Sequence, residues 1–286
     1  MSIGAPEFQF VAALLLREAA IVLLPGKEYL VEARLSPLVR GEGLTGVSEL
    51  VRAAQHPDAR QQRWAIVEAL TTNETSWLRD PGVFAGLRTE LLPRLLLERE
   101  RSSVLRLWSA AASTGQEAYS LAMVLDDMHR SDEMSPQQRF EVLGTDLSHA
   151  VLTQARAGRY SQLEMSRGLP PTYRDRYFTQ DGPTWQVRDV LRRQVSFRQR
   201  NLVDAFTTLP TFDVIFLRNV LIYLDPAHKT SILRRATRVL APNGWIVLGT
   251  AESTRGLTDD LEQERFAGLS AYRSRTSAAV HLTRKG

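Results

Sequence analysis

The residues best placed to do chemistry fall in one run, Trp108-Ser-Ala-Ala-Ala-Ser-Thr-Gly-Gln-Glu-Ala-Tyr-Ser-Leu-Ala-Met123. An apolar stretch from Ser103 to Ser109 reads as a buried strand that enters a loop of small residues, and an amphipathic helix leaves that loop. A strand, a small-residue turn and a helix in this order open a nucleotide-binding α/β unit. The turn is Ala112-Ser-Thr-Gly-Gln-Glu117 rather than G-x-G-x-x-G, and it puts Glu117 just inside the helix. A carboxylate aimed at the ligand suits a cationic or hydroxyl-rich molecule and repels a pyrophosphate. S-adenosylmethionine, with its sulfonium and α-amino group, fits that polarity; NAD and ATP fit poorly.

Such a turn needs a parallel sheet around it, because ligands of doubly wound sheets sit at the carboxyl ends of the strands. Strands are expected at Val104–Ala110, Phe140–Thr145, Val195–Gln199, Phe212–Leu217 and Trp245–Thr250, and helices at Gln116–Met128, Ser148–Ala157 and Asp225–Val239. Ala251 to Asp259 reads as a helix opening, and two short strands follow around a Gly268 turn. Four polar groups then land at strand ends: Glu117, Asp146, Asn201 (with Leu202) and Arg218-Asn219. Any one of them could be a cap or a surface group, as Asp146 could cap the helix after Ser148. Together, at four consecutive strand ends, they define a ligand crevice.

Residues 1–70 read as helices only, 71–102 as a polar linker and a connecting helix from Pro81 to about Glu100, and 103–286 as the sheet-bearing domain. The stretch from about 161 to 194 is too long for an ordinary crossover. Its Asp181-Gly182 pair between β-prone runs signals a hairpin and a small antiparallel insert. Between Arg156 and Arg200, ten arginines against four acids give a net charge of +6, which suits an acidic partner or a solvated face. Ser36-Pro37 predicts a kink in the second N-terminal helix.

Composition excludes much. With no cysteine there is no disulfide, thiol nucleophile or Cys-ligated zinc. Five scattered histidines show no metal-ligand spacing, so no metal site is expected. No apolar run reaches the roughly 18 residues of a membrane span. The N-terminus lacks the features of an export signal, which predicts a cytoplasmic address.

The motifs, in order, are Asn73-Glu-Thr-Ser-Trp-Leu-Arg79, the Trp108 to Ser120 run, Gly144-Thr-Asp146, Asn201-Leu202, Phe212-Asp-Val-Ile-Phe-Leu-Arg-Asn-Val-Leu-Ile-Tyr223 and Pro242-Asn-Gly244. Over residues 8 to 275 the chain resembles the chemotaxis receptor methyltransferases, the CheR family. The resemblance implies an all-helical N-terminal domain before a class I methyltransferase (Rossmann-like) sheet with a small β-subdomain. It implies methyl transfer from S-adenosylmethionine to receptor glutamates, yielding glutamyl methyl esters and S-adenosylhomocysteine. Carried over by position, Asn73, Thr75, Arg79, Glu117, Asp146, Asn201, Leu202, Arg218 and Asn219 would surround the cofactor. Arg79 and Tyr223 would face the reacting groups, with Arg79 holding either the substrate or the cofactor carboxylate. Trp77 and Leu78 stand where the family usually has two phenylalanines, and Leu217 where it often has cysteine; these departures predict an altered pocket shape. Partners would be receptor cytoplasmic helices, with a C-terminal receptor tether added to a strand edge in some members, and neither nucleic acid nor membrane insertion. A basic stripe for the receptor would rest on Arg34 with Arg40, or Arg60 with Arg63, because the helical domain is otherwise nearly balanced in charge.

A glutamate with an ordinary pKa of about 4.3 is already ionised at neutral pH. Its methylation requires no general base, consistent with a chain that offers no catalytic triad. Two other readings stay open on residues alone: a non-transferring S-adenosylmethionine sensor or scaffold, and a methyltransferase acting on nucleic acid or a small molecule. Against the latter, the Asn-Pro-Pro-Tyr-type motif of amino-methylating enzymes is absent after the fourth strand.

Overall fold

The computed structural model describes residues 3–99 and 104–275. Ser103, Glu100 and His281, all used in the sequence reading, lie outside them. The chain divides into two compact units: residues up to 72 together with 223–229, and the remainder. Among the described residues no helix is long and apolar enough to cross a membrane.

The first unit is built from α1 (Ala5–Ala19), α2 (Glu28–Gly41), α3 (Val47–Gln55) and α4 (Arg60–Leu70). Val11, Leu14 and Leu15 of α1, Val31 and Leu35 of α2, Leu50 and Val51 of α3, and Ile66 and Val67 of α4 repeat at helical spacing and are buried. Pro37 lies inside α2, which runs on to Gly41. After α1 the chain pairs with the 223–229 segment, Val22 N–H donating to the Tyr223 carbonyl (2.9 Å) and Ile21 bridging Leu224. Two of the four arginines considered for a receptor stripe also hold this unit together. Arg34 donates to the carbonyls of Leu70 (2.7 Å) and Thr71 (2.9 Å), and Arg63 to those of Ala54 (3.1 Å), His56 (2.7 Å) and Pro57 (2.9 Å).

The second unit opens with an extended linker. It continues through α5 (Pro81–Gly86), a π-helical turn (Leu87–Leu91) and α6 (Leu92–Leu97), where one uniform helix was expected. There follow β1 (Leu105–Ala110), α7 (Gln116–Arg130), β2 (Phe140–Asp146) and α8 (His149–Ala157). The insert comprises β3 (Arg159–Ser161), α9 (Gln162–Met165), α10 (Pro171–Tyr177), β4 (Phe178–Asp181), β5 (Thr184–Val187) and α11 (Asp189–Arg192). Then come β6 (Val195–Gln199), β7 (Phe212–Leu217), α12 (Pro226–Arg238), β8 (Leu240–Leu248), β9 (Leu261–Phe266) and β10 (Leu269–Ser274).

The large sheet runs β6-β2-β1-β7-β8-β10-β9, its first five strands parallel and the β9–β10 hairpin antiparallel. Strand order therefore reverses between β1 and β7, which places the switch-point crevice at the ends of those two strands. This is the expected class I methyltransferase order. The small sheet, β3-β5-β4, is antiparallel, and its β4–β5 turn is the predicted Asp181-Gly182 hairpin, with Gly182 at φ +57.

Two expectations are corrected. β8 starts at Leu240, not Trp245, with a register shift opposite Phe212 and Val214 that lets Pro242 occupy a bulge. No helix forms over 251–259; the segment is a series of turns, because the Glu252 carboxylate binds backbone N–H groups of neighbouring loops.

Gly86 closes α5 against the β9–β10 turn. A Cβ there would collide with the Ala267 carbonyl oxygen and lie 3.0 Å from Leu269 Cβ. Gly86→Ala should destabilise the protein by about 1–3 kcal/mol through overpacking, read as a lowered urea midpoint with unchanged slope; an unchanged midpoint would refute this packing.

Candidate active site

The turn after β1 is held in a shape that side chains rarely adopt. Ala111 (φ +68), Ser113 (φ +50) and Gly115 (φ +95) are all left-handed, so the surroundings must over-determine it. Asp146, at the end of β2, does much of this. One carboxylate oxygen accepts the Ser113 N–H (2.9 Å) and the other the Ser148 N–H (3.0 Å). Ala112 N–H donates to the Thr145 carbonyl (2.8 Å), Ser113 Oγ to the Asn73 carbonyl (2.7 Å) and the Tyr160 hydroxyl to the Thr114 carbonyl (2.7 Å). Asp146 is therefore not the cap of α8; Ser148 is, accepting from Val151 N–H. Gly115 is required for a reason the sequence did not show. A Cβ would lie 3.0 Å from Ala155 Cβ and 3.0 Å from Phe197 Cζ, so the core behind the loop constrains this position.

Glu117 begins α7 with its carboxylate engaged on both oxygens. Ser109 Oγ donates to Oε1 (2.8 Å) and Arg218 Nη1 to Oε2 (3.0 Å). Arg218, at the end of β7, has a side chain with no exposed surface; its Nη2 also donates to the Asp80 carboxylate (2.6 Å) and the Arg79 carbonyl (3.0 Å). The guanidinium lies 5.9 Å from the Phe84 ring and 6.0 Å from that of Phe216. Arg218 thus joins three candidates from distant parts of the chain, Arg79, Glu117 and itself, and adds Asp80. Asp80 takes a φ of +60 just ahead of Pro81, and its carboxylate turns back towards Arg218 at the end of β7.

In the linker, Arg79 is half-buried, its Nη1 donating to the Glu74 carbonyl (3.2 Å), and its charge reaches Glu117. Thr75 lies half-buried in the same segment. Trp77 is fully buried, packed edge-on against Tyr160 (4.7 Å) and Phe178 (5.1 Å). This departure from the family pattern therefore sits in the core beneath the linker. Leu78 N–H donates to Ser120 Oγ (3.0 Å) on α7.

After β6, Asn201 Oδ1 accepts the Val203 N–H (3.2 Å). Arg235 donates to the carbonyls of Leu202 (2.7 Å), Val203 (2.5 Å) and Asp204 (2.6 Å). After β7, Asn219 takes φ +58 and its N–H donates to Glu252 Oε2 (2.7 Å). Arg235 and Glu252 had no local signature beyond their charge. Tyr223 groups with the helical unit, its ring partly exposed, and among the described residues its phenol makes no hydrogen bond. Among the described residues no group of three or more His, Asp or Glu side chains is placed to hold a metal ion.

Residues 73–267 match the family model "CheR methyltransferase, SAM binding domain", and residues 6–71 match "CheR methyltransferase, all-alpha domain". The chain belongs to the CheR methyltransferase family. It is 38% identical over 276 residues to chemotaxis protein methyltransferase 1 of Pseudomonas aeruginosa, covering 96% of this chain and 100% of the relative. The chemotaxis protein methyltransferase Cher2 of Pseudomonas putida is 38% identical over 260 residues (91% and 94% covered). A chemotaxis protein methyltransferase of Vibrio parahaemolyticus is 39% identical over 267 residues (93% and 95% covered).

This CheR chain is a methyltransferase with S-adenosylmethionine as its cofactor, and the crevice fits that molecule. Two carboxylates, Glu117 and Asp146, stand at adjacent strand ends, and a carboxylate oxygen that anchors a loop can accept further hydrogen bonds from ribose hydroxyls. Burial raises the Glu117 carboxyl above its ordinary value of 4.5, against the opposing pull of Arg218, the Ser109 hydroxyl and Arg79.

The sign of the resulting pH dependence follows. A carboxyl with a raised folded pKa costs stability at all pH above that value, and the cost is relieved as pH falls through the folded pKa towards 4.5. Protonation also removes the charge that favours a cation. As pH falls through that window, affinity for S-adenosylmethionine should drop by about tenfold or more, the scale of a charge-assisted hydrogen bond. The stability difference between Glu117→Gln and wild type should narrow over the same range. Calorimetric titrations and urea melts from pH 7.5 to 5 check both, and an affinity that rises on acidification would refute the assignment.

Proposed function

We propose that this protein methylates glutamate side chains on cytoplasmic helices of chemotaxis receptors, forming glutamyl methyl esters. The observation that carries the reading is the Glu117–Arg218–Asp80 cluster with the half-buried Arg79 beside it, its charge acting on Glu117 and its carbonyl accepting from Arg218. When bound, S-adenosylmethionine supplies a methyl group activated by a sulfonium. The protein's task is to hold that group and an ionised glutamate in line.

Glu117 and Asp146 would hold the cofactor's positive and hydroxyl groups, with Asn73, Thr75, Asn201, Leu202, Arg218 and Asn219 around them. Arg218 and Ser109 fix the Glu117 carboxylate before any ligand arrives, so its orientation costs little on binding. Arg79 would hold a carboxylate, since its planar fork suits that group. Tyr223 would orient the attacking oxygen. No residue need remove a proton, because the substrate carboxylate is already ionised. Excluding water then favours the step, since opposite charges neutralise each other as the bond forms.

The names of the relatives, chemotaxis protein methyltransferases, support receptors as substrates. β3 and β4 are the two edges of the small sheet, where a receptor tether would add as a strand. A substrate on receptor helices places the reaction in the cytoplasm.

Radiolabelled methyl transfer to receptor cytoplasmic fragments tests the reading. The product should release methanol on mild base, as an ester does and an N-methyl group does not. Label on RNA, or cofactor binding without transfer to any receptor fragment, would overturn it. Arg79→Ala should fold normally yet lower kcat/KM by about 10- to 100-fold, matching loss of a charge-assisted bond of ~1.5–3 kcal/mol. Near-wild-type turnover would remove Arg79 from the mechanism.

A further inference from the structure

Glu252 lies in the turn that follows β8, remote in sequence from every residue given a role above. Its carboxylate collects three backbone N–H groups: Gly249 (2.8 Å) and Asn219 (2.7 Å) on Oε2, and Ile222 (3.2 Å) on Oε1. Its own N–H returns to the Gly249 carbonyl (2.9 Å), closing a ring between side chain and turn. One side chain therefore fastens the loop after β7 to the loop after β8.

Two further observations show that the surroundings are built for this contact. Asn219 is left-handed at φ +58, a conformation asparagine adopts more readily than other residues with a side chain, and the bond from its N–H to Glu252 fixes it there. Gly249 leaves the space the carboxylate occupies. A Cβ there would lie 2.6 Å from Glu252 Oε2, 2.9 Å from Asn219 Nδ2 and 3.0 Å from Asn219 N.

We infer that Glu252 is a positioning residue of the transfer site: by holding Asn219 in its left-handed conformation and tying down Ile222, it sets the loop that borders the cofactor. The inference rests on the crevice reading above. It is distinct from a general contribution to stability, because one of the three N–H groups belongs to Asn219, a candidate cofactor-binding residue beside Arg218. Neutral glutamine keeps the size of the side chain but loses the charge, and its amide would face N–H groups with a donor. Alanine at 249 leaves Glu252 in the chain and pushes its carboxylate away.

Calorimetric titration with S-adenosylhomocysteine, alongside thermal melts, tests this with Glu252→Gln and Gly249→Ala. Wild type should bind, and both variants should bind about tenfold or more weakly while melting within about 3 °C of wild type. In steady-state assays the KM for the methyl donor should rise more than kcat falls. Wild-type affinity in either folded variant overturns the inference, as does a large fall in melting temperature with affinity unchanged. Should Glu252→Gln fail to fold, Gly249→Ala alone decides by the same criteria, and failure of both to fold assigns Glu252 to stability and overturns the inference. Absence of binding by wild type would count against the crevice itself rather than against the role of Glu252.

Discussion

A guanidinium with no exposed surface must be matched by its surroundings, and Arg218 is matched by Asp80, Glu117 and the Arg79 carbonyl. Removing one partner of such a buried pair typically costs about 3–5 kcal/mol, because the other charge is left uncompensated. The local geometry follows from this. Asp80 reaches Arg218 with its backbone left-handed just before Pro81, where α5 begins. Glu117 can reach it only from the first turn of α7, which fixes the exit of the loop after β1. The linker that carries Asn73, Thr75 and Arg79 is thereby tied to the end of β7, 138 residues along the chain from Asp80.

The same solution recurs around the crevice. Loops at strand ends carry backbone N–H and C=O groups that no helix or sheet satisfies, and these groups need partners. Here single charged side chains serve several at once. Asp146 accepts from Ser113 and Ser148, Glu252 from Gly249, Asn219 and Ile222, and Arg235 donates to Leu202, Val203 and Asp204. Each hold is both a structural bond and a means of setting a site loop. A substitution at one of these charges acts on ligand geometry through the backbone, with no direct contact to the ligand required.

This arrangement explains what could be read from sequence. The parallel strands were legible because runs such as Phe212–Leu217 are buried on both faces and so are continuously apolar. The hairpin was legible because Asp181-Gly182 is local turn chemistry. Glu117 and Asp146 were legible because strand-end position is itself a local property. Asp80, Arg235 and Glu252 were not, since apart from Gly249 beside Glu252 their partners are 30 to 138 residues away and a single charge has no periodicity. The helix expected over 251–259 failed for that reason: tertiary bonds to Glu252 outweighed local propensity. Part of the basic excess over 156–200 is used within the protein. Arg167 pairs with Glu74 and Arg176 with Asp127, acids that lie outside the segment in sequence.

Charge balance around Glu117 links the structure to the reaction. Arg79 and Arg218 are offset by Glu117 and Asp80, so this cluster is close to neutral before anything binds. A donor carrying a net positive charge and a glutamate carrying a negative one would enter it as a compensating pair. Either alone would leave an unmatched charge near a buried carboxylate, where effective dielectric is low and mismatch is costly. Burial already raises the Glu117 carboxyl, against the opposing pull of Arg218 and Arg79. Under the proposed reaction, a crevice so balanced would favour joint occupancy over single occupancy, through the fixed ion pairs of the protein rather than through a proton-transferring group. That is the electrostatic requirement of a displacement in which two opposite charges vanish together.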